Sequence, residues 1–432
     1  MVKTLFDTIY EGYAYSYPHK YSYRRLNNLS LPLLWKEEKK DALFLYVHLP
    51  FCEMRCGFCN LFTIANPQSN MVDDYLKTLA REAKAIKEQI DPRSFGQLAV
   101  GGGTPTFLHW QQLERLFTII RQLGATPENM PTSVEVSPAT VTREKLSLLN
   151  EQGVDRISMG VQSFVENEVK ALGRPQENKE VYAALDLLKQ NPFATINIDL
   201  IYGAYGQTLS TWLHSVQEVI RYNVEEVFIY PLYVRPLTGI TKLNQQQEDN
   251  RFIFYREAKQ LLLSAGYKQV SMRMFQKKGS TKHPIRSYSC QEDGMIGLGA
   301  GARSYTQSVH YSSEYAVGRQ SIKSIIQKYM ARPNFNEVDY GIELNKEEQQ
   351  RRFVIKSILH GTGLDLKRYS TLYEHDALEA YPLLGELIKA DMATRQQNML
   401  HLTSMGMDYS DAIGPALYSE NIKQLIREFE LQ

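Results

Sequence analysis

Between residues 43 and 233 the chain alternates short β-branched or aromatic runs with longer stretches of helical period, and this rhythm restricts the fold more than any other feature. Strand-like runs fall at 43–49, 97–100, 132–136, 155–162, 195–202 and 226–233, and helix-like stretches at 72–90, 110–123, 142–151, 178–189 and 208–222. Thr142 offers an N-cap for the third of these helices and Gly153 a stop. Six strands joined through helices imply right-handed βαβ units and a parallel sheet, either open or curled into a partial barrel; periodicity leaves both open. In either form ligands gather at the carboxyl ends of the strands, where loops and helix N-termini converge.

The 432 residues, 43% of them hydrophobic, suffice for one large core and a second domain. Lys and Arg total 49 against 48 Asp and Glu, so a net charge of +1 supplies no field to attract nucleic acid or an anionic membrane, and the expected partner is a small molecule. The N-terminus MVKTLFDTIYEGYAYSYPHK lacks the pattern of an export signal, and no run approaches the length of a membrane span, so the expected location is cytoplasmic. After residue 240 the rhythm changes to a polar tract NQQQEDN, a helix near 251–264, a strand-like SMRMF and a glycine-rich GLGAGARS at 297–304. The charged ELNKEEQQRR then introduces a mainly helical segment. These shifts divide the chain into an N-terminal arm (1–40), the alternating unit (41–240), an extension completing a substrate cleft (241–344) and a C-terminal accessory domain (345–432). In the arm, Tyr10, Tyr13, Tyr15, Tyr17, Tyr21 and Tyr23 are interleaved with His19, Lys20, Arg24 and Arg25. Such a segment either stacks on a flat substrate and pairs its carboxylates, or packs across the domain with its basic groups in solvent.

Directly after the first strand, YVHLPFCEMRCGFCN sets Cys52, Cys56 and Cys59 in a C-x3-C-x2-C spacing on one loop, with Cys290 far away. That is poor geometry for a disulfide framework and good geometry for metal. Cubane clusters are held by cysteine thiolates, normally four, so three leave one iron open to chelation by the amino and carboxylate groups of S-adenosylmethionine (SAM). The alternative is zinc, completed by His48 or Cys290, but structural zinc sites usually pair their ligands and no second pair occurs here.

The cysteine motif resembles the radical SAM superfamily. The wider match, through GGGTPT (101–106), SVEVSP (133–138), ISMGVQSF (157–164), NIDLIYG (197–203) and LTSMGMDYSDAIG (402–414), resembles its HemN-like branch of coproporphyrinogen III dehydrogenases, haem chaperones and cyclopropane-forming or methyl-transferring relatives. The resemblance implies a partial parallel (β/α)6 barrel with an N-terminal arm and a mainly helical C-terminal HemN-like domain. It also implies a [4Fe–4S] cluster on the three cysteines, one SAM or two, and a reductant such as flavodoxin or ferredoxin. Within GGGTPT, glycines let backbone amides approach a ligand closely, and the absence of a following Lys-Ser/Thr argues against a nucleoside triphosphate. Glu135 ends its strand, where a carboxylate can take ribose hydroxyls or an ammonium group.

By the same resemblance Gly102, Gly103, Thr104, Gln162, Arg174 and Asp199 contact SAM, and Phe58 packs near the adenine. Tyr46, Gly102 and Glu135 match positions of a paired SAM site, with Phe228 and Pro231 on the matching sixth strand. The chain departs from the coproporphyrinogen enzymes at Leu61, where they carry a further cysteine, and at Arg303 in the cofactor-binding GLG segment, where they carry an apolar residue. A buried Arg303 is expected to meet an acid or an anionic ligand group. The reading that follows is a radical SAM enzyme modifying an organic substrate by methyl or methylene transfer from a second SAM. The alternatives are oxidative decarboxylation of coproporphyrinogen III and haem trafficking without turnover.

Overall fold

The computed structural model describes residues 9–14, 16–243, 248–277 and 287–431; Tyr15 and the first four residues of NQQQEDN lie outside the described residues. Six parallel strands, β1 (Leu43–Leu49), β2 (Phe95–Gly102), β3 (Thr132–Val136), β4 (Arg156–Gln162), β5 (Thr195–Tyr202) and β6 (Glu226–Pro231), pair in chain order. Between them run α1 (Ser69–Ile90), α2 (Trp110–Leu123), α3 (Arg143–Glu151), α4 (Asn178–Lys189) and α5 (Leu209–Arg221). The Thr142 side chain accepts the Lys145 N–H at 3.3 Å, as an N-cap should. The sixth strand stops at Pro231, two residues short of the expected end, where the backbone N–H is missing.

The twofold side-chain period of each strand separates two faces. Leu45, Val47, Leu98, Val100, Val134, Ile157, Met159, Ile198, Leu200, Val227 and Ile229 are fully buried against the helices in the main core. Their alternates are small, polar or aromatic: Tyr46 and His48, Ala99 and Gly101, Ser133 and Glu135, Ser158 and Gly160, Asn197 and Asp199, Phe228 and Tyr230. The concave inner face of the sheet is therefore the chemical face.

A seventh parallel strand, Met295–Leu298, pairs with β1, and the antiparallel strands Arg303–Tyr305, Val309–Ser312, Glu337–Glu343 and Arg24–Ser30 continue that edge. On the other side Met274–Lys277 and Tyr267–Gln269 complete a 13-stranded sheet whose two end strands do not meet. The fold is thus α/β, with a partial parallel barrel at the centre of an open mixed sheet.

A second apolar cluster, containing Phe353, Ile358, Leu384, Leu400 and Ile413, is built from C-terminal helices around a three-stranded antiparallel sheet. It accepts Ala14 and Tyr17 from the arm. Two buried ion pairs, Lys259 with Asp408 and Arg273 with Asp411, tie it to the segment after the barrel. No helix among the described residues is long and apolar enough to cross a membrane.

Candidate active site

Cys52, Cys56 and Cys59 follow β1 on one loop and line a cavity of about 590 Å³ at the carboxyl ends of the strands. The loop is fixed through its backbone: Gly57 N–H donates to Gly173 O at 3.1 Å, and Ile240 N–H to Gly57 O at 2.9 Å. Arg174 Nη1 lies 3.5 Å from Cys56 Sγ, and the Thr104 hydroxyl 3.7 Å from Cys52 Sγ. Burial pushes the Cys52 thiol up to about 12 and raises that of Cys56, so bare thiolates are disfavoured here and a metal centre would supply the compensating charge.

Among the described residues no three His, Cys, Asp or Glu side chains converge on a point where a single ion would sit. The zinc alternative also lacks its fourth ligand. The His48 ring is taken up by Phe62 O at 3.0 Å and the Tyr46 hydroxyl at 3.3 Å, and Cys290 lines a different cavity. A cubane needs only that each thiolate reach a separate iron, and a three-thiol loop beside the Arg174 guanidinium fits that demand.

Gly102, Gly103, Thr104, Glu135, Gln162, Asp199 and Pro231 line the same cavity as the cysteines. Glu135 accepts the Gly102 N–H at 3.1 Å, and Asp199 accepts from Asn197 Nδ2 at 2.8 Å. Burial raises the Glu135 carboxyl to about 7, with the Asp199 charge adding to it. Burial likewise raises Asp199 to about 6, opposed by the Asn197 hydrogen bond. The accessible surface of Glu135 faces the cavity rather than bulk water, which reconciles its exposure with this desolvation. Gln162 is reached through a register shift between Gly160 and Gln162 and a left-handed φ of 71°, a bulge that aims its side chain into the site.

The glycines of GGGTPT also serve the packing of the loop. A Cβ on Gly103 would stand 2.3 Å from Phe51 O and 2.9 Å from Leu49 O, and the N–H groups of Gly103 and Thr104 donate to those carbonyls at 2.7 Å each. Close approach here is between this loop and the backbone of the cysteine loop, so the amides are occupied by protein. Phe58 lines the cavity but also packs on the small apolar cluster of Leu172, Ile201, Ala204 and Leu232. Arg174 is anchored by Gln176 Oε1 and Gly160 O, both at 2.8 Å, with further donors left on its Nη atoms.

Phe228 stays deeper on the inner face, stacked on Tyr230 with ring centroids 5.8 Å apart. Tyr46 and His48 belong to an adjoining inner cavity of about 390 Å³. Lys20, Leu61, Gly102, Glu135 and Arg303 line both cavities and mark the passage between them.

The arm packs across the domain, one of its two alternatives, though not with all of its basic groups in solvent. Tyr10 lies edge-on to Tyr202 and Tyr233, Tyr17 packs against Tyr418, and Tyr21 stacks on Phe429 at 4.7 Å, so much of its aromatic surface is used in packing. Its basic groups are not all in solvent, however: His19 and Lys20 line the cluster cavity, and Lys20 Nζ sits 3.5 Å from the Tyr315 ring centroid. Arg303 donates from Nη1 to Ser16 Oγ of the arm at 3.0 Å. Glu53, Tyr230 and Arg235 also line the cavity without having been singled out from the sequence. Of these only Tyr230, alternating with Phe228, carries a local signal.

Residues 46–219 match the family description of the Radical SAM superfamily. The chain is 28% identical over 370 residues to the Heme chaperone HemW of Bacillus subtilis (strain 168), covering 84% of this chain and 95% of that one. It is 26% identical over 421 residues to the Oxygen-independent coproporphyrinogen III oxidase of Salmonella typhimurium, covering 90% and 91%. The solved coproporphyrinogen III oxidase HemN of Escherichia coli superposes with a TM-score of 0.78 at 23% identity, covering 97% of this chain and 98% of that one. The chain thus carries a radical SAM domain of the HemN-like branch, a domain whose cofactors are a [4Fe–4S] cluster and SAM.

Proposed function

We propose that this protein is a radical SAM enzyme whose Cys52, Cys56 and Cys59 hold the cluster and whose substrate is a carboxylated tetrapyrrole. The observation that carries the reading is the convergence of the cysteine loop, the polar inner face of the strands and the arm on one cavity that opens into a second. Cys52, Cys56 and Cys59 would hold the cluster, which would supply the reducing electron for radical cleavage of SAM. The chain's own groups orient SAM: Glu135 and Asp199 offer carboxylates to its cationic end, Arg174 a donor to its carboxylate, and Gln162 an amide to its polar edge. Tyr21 and Tyr230 wall the cavity and exclude water from the reacting carbon. In this reading residues 1–40 are the arm, 41–240 the barrel, 241–344 the extension and 345–432 the accessory domain, and a flavodoxin or ferredoxin supplies the electron.

The named chemistry of the coproporphyrinogen III oxidases supports oxidative decarboxylation as the downstream step. A second reading, methyl or methylene transfer from a second SAM, is favoured by a specific observation. The inner cavity adjoins the first at Gly102 and Glu135 with Tyr46 on its wall, the positions matched to a paired SAM site, and Leu61 stands at the passage in place of a cysteine. The reconstituted protein, supplied anaerobically with SAM, a reductant and either coproporphyrinogen III or haem, distinguishes these. Carbon dioxide with two new vinyl groups supports decarboxylation, and a product heavier by one carbon unit supports transfer. Haem binding with no 5′-deoxyadenosine would overturn the enzyme reading in favour of trafficking.

A further inference from the structure

The polar inner face of the barrel has two layers, and only the upper one lines the cluster cavity. Glu135, Ser158 and Asp199 face that cavity, whereas Ser133, Arg156, Asn197 and Glu226 lie earlier on the same group of strands and do not line it. This lower layer is a floor organised by Arg156. Its Nη1 donates to Ser133 Oγ on β3 at 2.8 Å, and its Nε reaches past β5 to Glu226 Oε2 on β6 at 2.7 Å. Gln276 Nε2 donates to the other Glu226 oxygen at 3.1 Å. The Glu226 side chain is 6% exposed, so its charge depends on the guanidinium beside it.

Asn197 joins the floor to the cavity, its Nδ2 donating to Ser158 Oγ and to Asp199 Oδ1, both at 2.8 Å. The charged and titratable groups that act on Asp199 and Glu135 come from several elements: Arg156 on β4, Glu226 and Tyr230 on β6, Arg174 after β4, and each carboxylate on the other. Burial is the largest influence and raises both acids. Arg156 opposes it at both, and Glu226 opposes Arg156 at Asp199.

We propose that Arg156 is a positioning residue for SAM: without touching the cofactor, it ties β3, β4 and β6 together beneath Glu135 and Asp199 and keeps that pair ionised to receive the cationic end of SAM, with Glu226 limiting its effect. This rests on the placement of Glu135 and Asp199 at SAM in the proposed function. A floor that served only to hold the strands would have no preferred sign of charge. The proposed role has one, and the two halves of the ion pair test it in opposite directions.

In the reconstituted holoprotein, SAM affinity is measured by equilibrium titration from about pH 5 to about pH 8. Arg156→Met should move the midpoint of the profile up by about one pH unit, so that below it SAM binds up to about tenfold more weakly. Glu226→Gln should move the midpoint down, and Arg156→Lys should leave it near that of the wild type. Infrared difference spectra of the SAM-free holoprotein follow the same carboxyls directly. The protonated-carboxyl band lost in Glu135→Gln and in Asp199→Asn belongs to the pair, and its midpoint should shift with the same signs.

Opposite shifts in both experiments support the proposal, because damage to the floor from either side would weaken SAM at every pH alike. Shifts of one sign in the two variants, or an unmoved midpoint in Arg156→Met, overturn it. Opposite infrared shifts with a SAM affinity that does not change with pH would instead remove the carboxylate pair from SAM, and the role of Arg156 with it. If circular dichroism shows that Arg156→Met does not fold, the other two variants decide: a downward shift in Glu226→Gln with none in Arg156→Lys supports the proposal, and no shift in Glu226→Gln refutes it.

Discussion

Replacing Arg273 with Met should destabilise the protein by about 3–5 kcal/mol, because it strands a buried carboxylate. The Arg273 and Asp411 side chains are 4% and 2% exposed, and the guanidinium meets the carboxylate in a fork, with Nη1 donating to Oδ1 at 2.7 Å and Nη2 to Oδ2. Tyr13 of the arm lies over the guanidinium, its ring centroid 3.7 Å from Cζ, and the Tyr233 hydroxyl donates to Asp411. One ion pair therefore joins the arm, the end of the barrel and the C-terminal helices. Removing the cation leaves Asp411 with only the tyrosine hydroxyl among these partners and also forfeits a cation–π contact of about 1–2 kcal/mol, while Met refills part of the apolar volume. In Arg273→Met/Asp411→Leu the stranded charge is gone, and the loss should shrink to about 1–2 kcal/mol, near the cost of the orphaned tyrosine hydroxyl. Urea unfolding followed by tryptophan fluorescence and far-ultraviolet circular dichroism gives both numbers. A single variant costing less than about 1 kcal/mol, or a double variant less stable than the single, would refute the argument.

The remaining expectations concern the site. Cys56→Ala should reduce reconstituted iron from about four per chain to near none, whereas Cys290→Ala should leave it unchanged, as read by iron and sulfide analysis. Gly103→Val should lower cluster loading as well as SAM binding, since its side chain would displace Phe51 O; full loading with SAM binding alone impaired would contradict the packing account. Glu135 and Asp199 have carboxyls raised to about 7 and about 6, so SAM affinity should rise as pH increases through about 6 to 7 and protons should be released on binding; Glu135→Gln should flatten the profile in equilibrium titrations. The same raised values mean that the SAM-free protein loses stability as pH rises through this window, the buried acids being best tolerated when protonated, and a melting temperature that climbs instead would contradict it.

The barrel was legible because its strands carry two local codes at once. The outward set, such as Leu45, Val47, Ile198 and Leu200, is continuous apolar core, and the inward set, such as Tyr46, Glu135 and Asp199, falls at every second position. A reader of the sequence can therefore find the chemical face before knowing the curvature. Whether the sheet closes was not legible. That depends on which strands flank β1 and β6, and the flanking strands come from residues 24–30, 267–277 and 295–343, outside the repeating rhythm. The glycines of GGGTPT were located, but a sequence shows that a Cβ is missing and not what fills the space; at Gly103 it is the Phe51 carbonyl, at Gly102 the His48 ring and at Gly101 the Glu135 carboxyl.

The inner cations mark the farther limit, and the reason is topological. Arg303 follows the seventh parallel strand, whose pairing with β1 joins segments some 250 residues apart, and Arg352 and Lys356 enter from a helix whose other face belongs to the second apolar cluster. No local pattern distinguishes an arginine on the solvated side of such a helix from one turned into a cavity, since spacing tells only that the two share a face. Placement shows what spacing could not. The cysteine loop and the inner strand residues come from contiguous βα units, whereas the cations come from outside them. If the substrate is the carboxylated tetrapyrrole of the proposed function, exchanging Arg352 or Lys356, which line the inner cavity and not the cluster cavity, should change which substrate is accepted while SAM cleavage without substrate persists. A loss of both together would mean that the two cavities act as a single site for SAM.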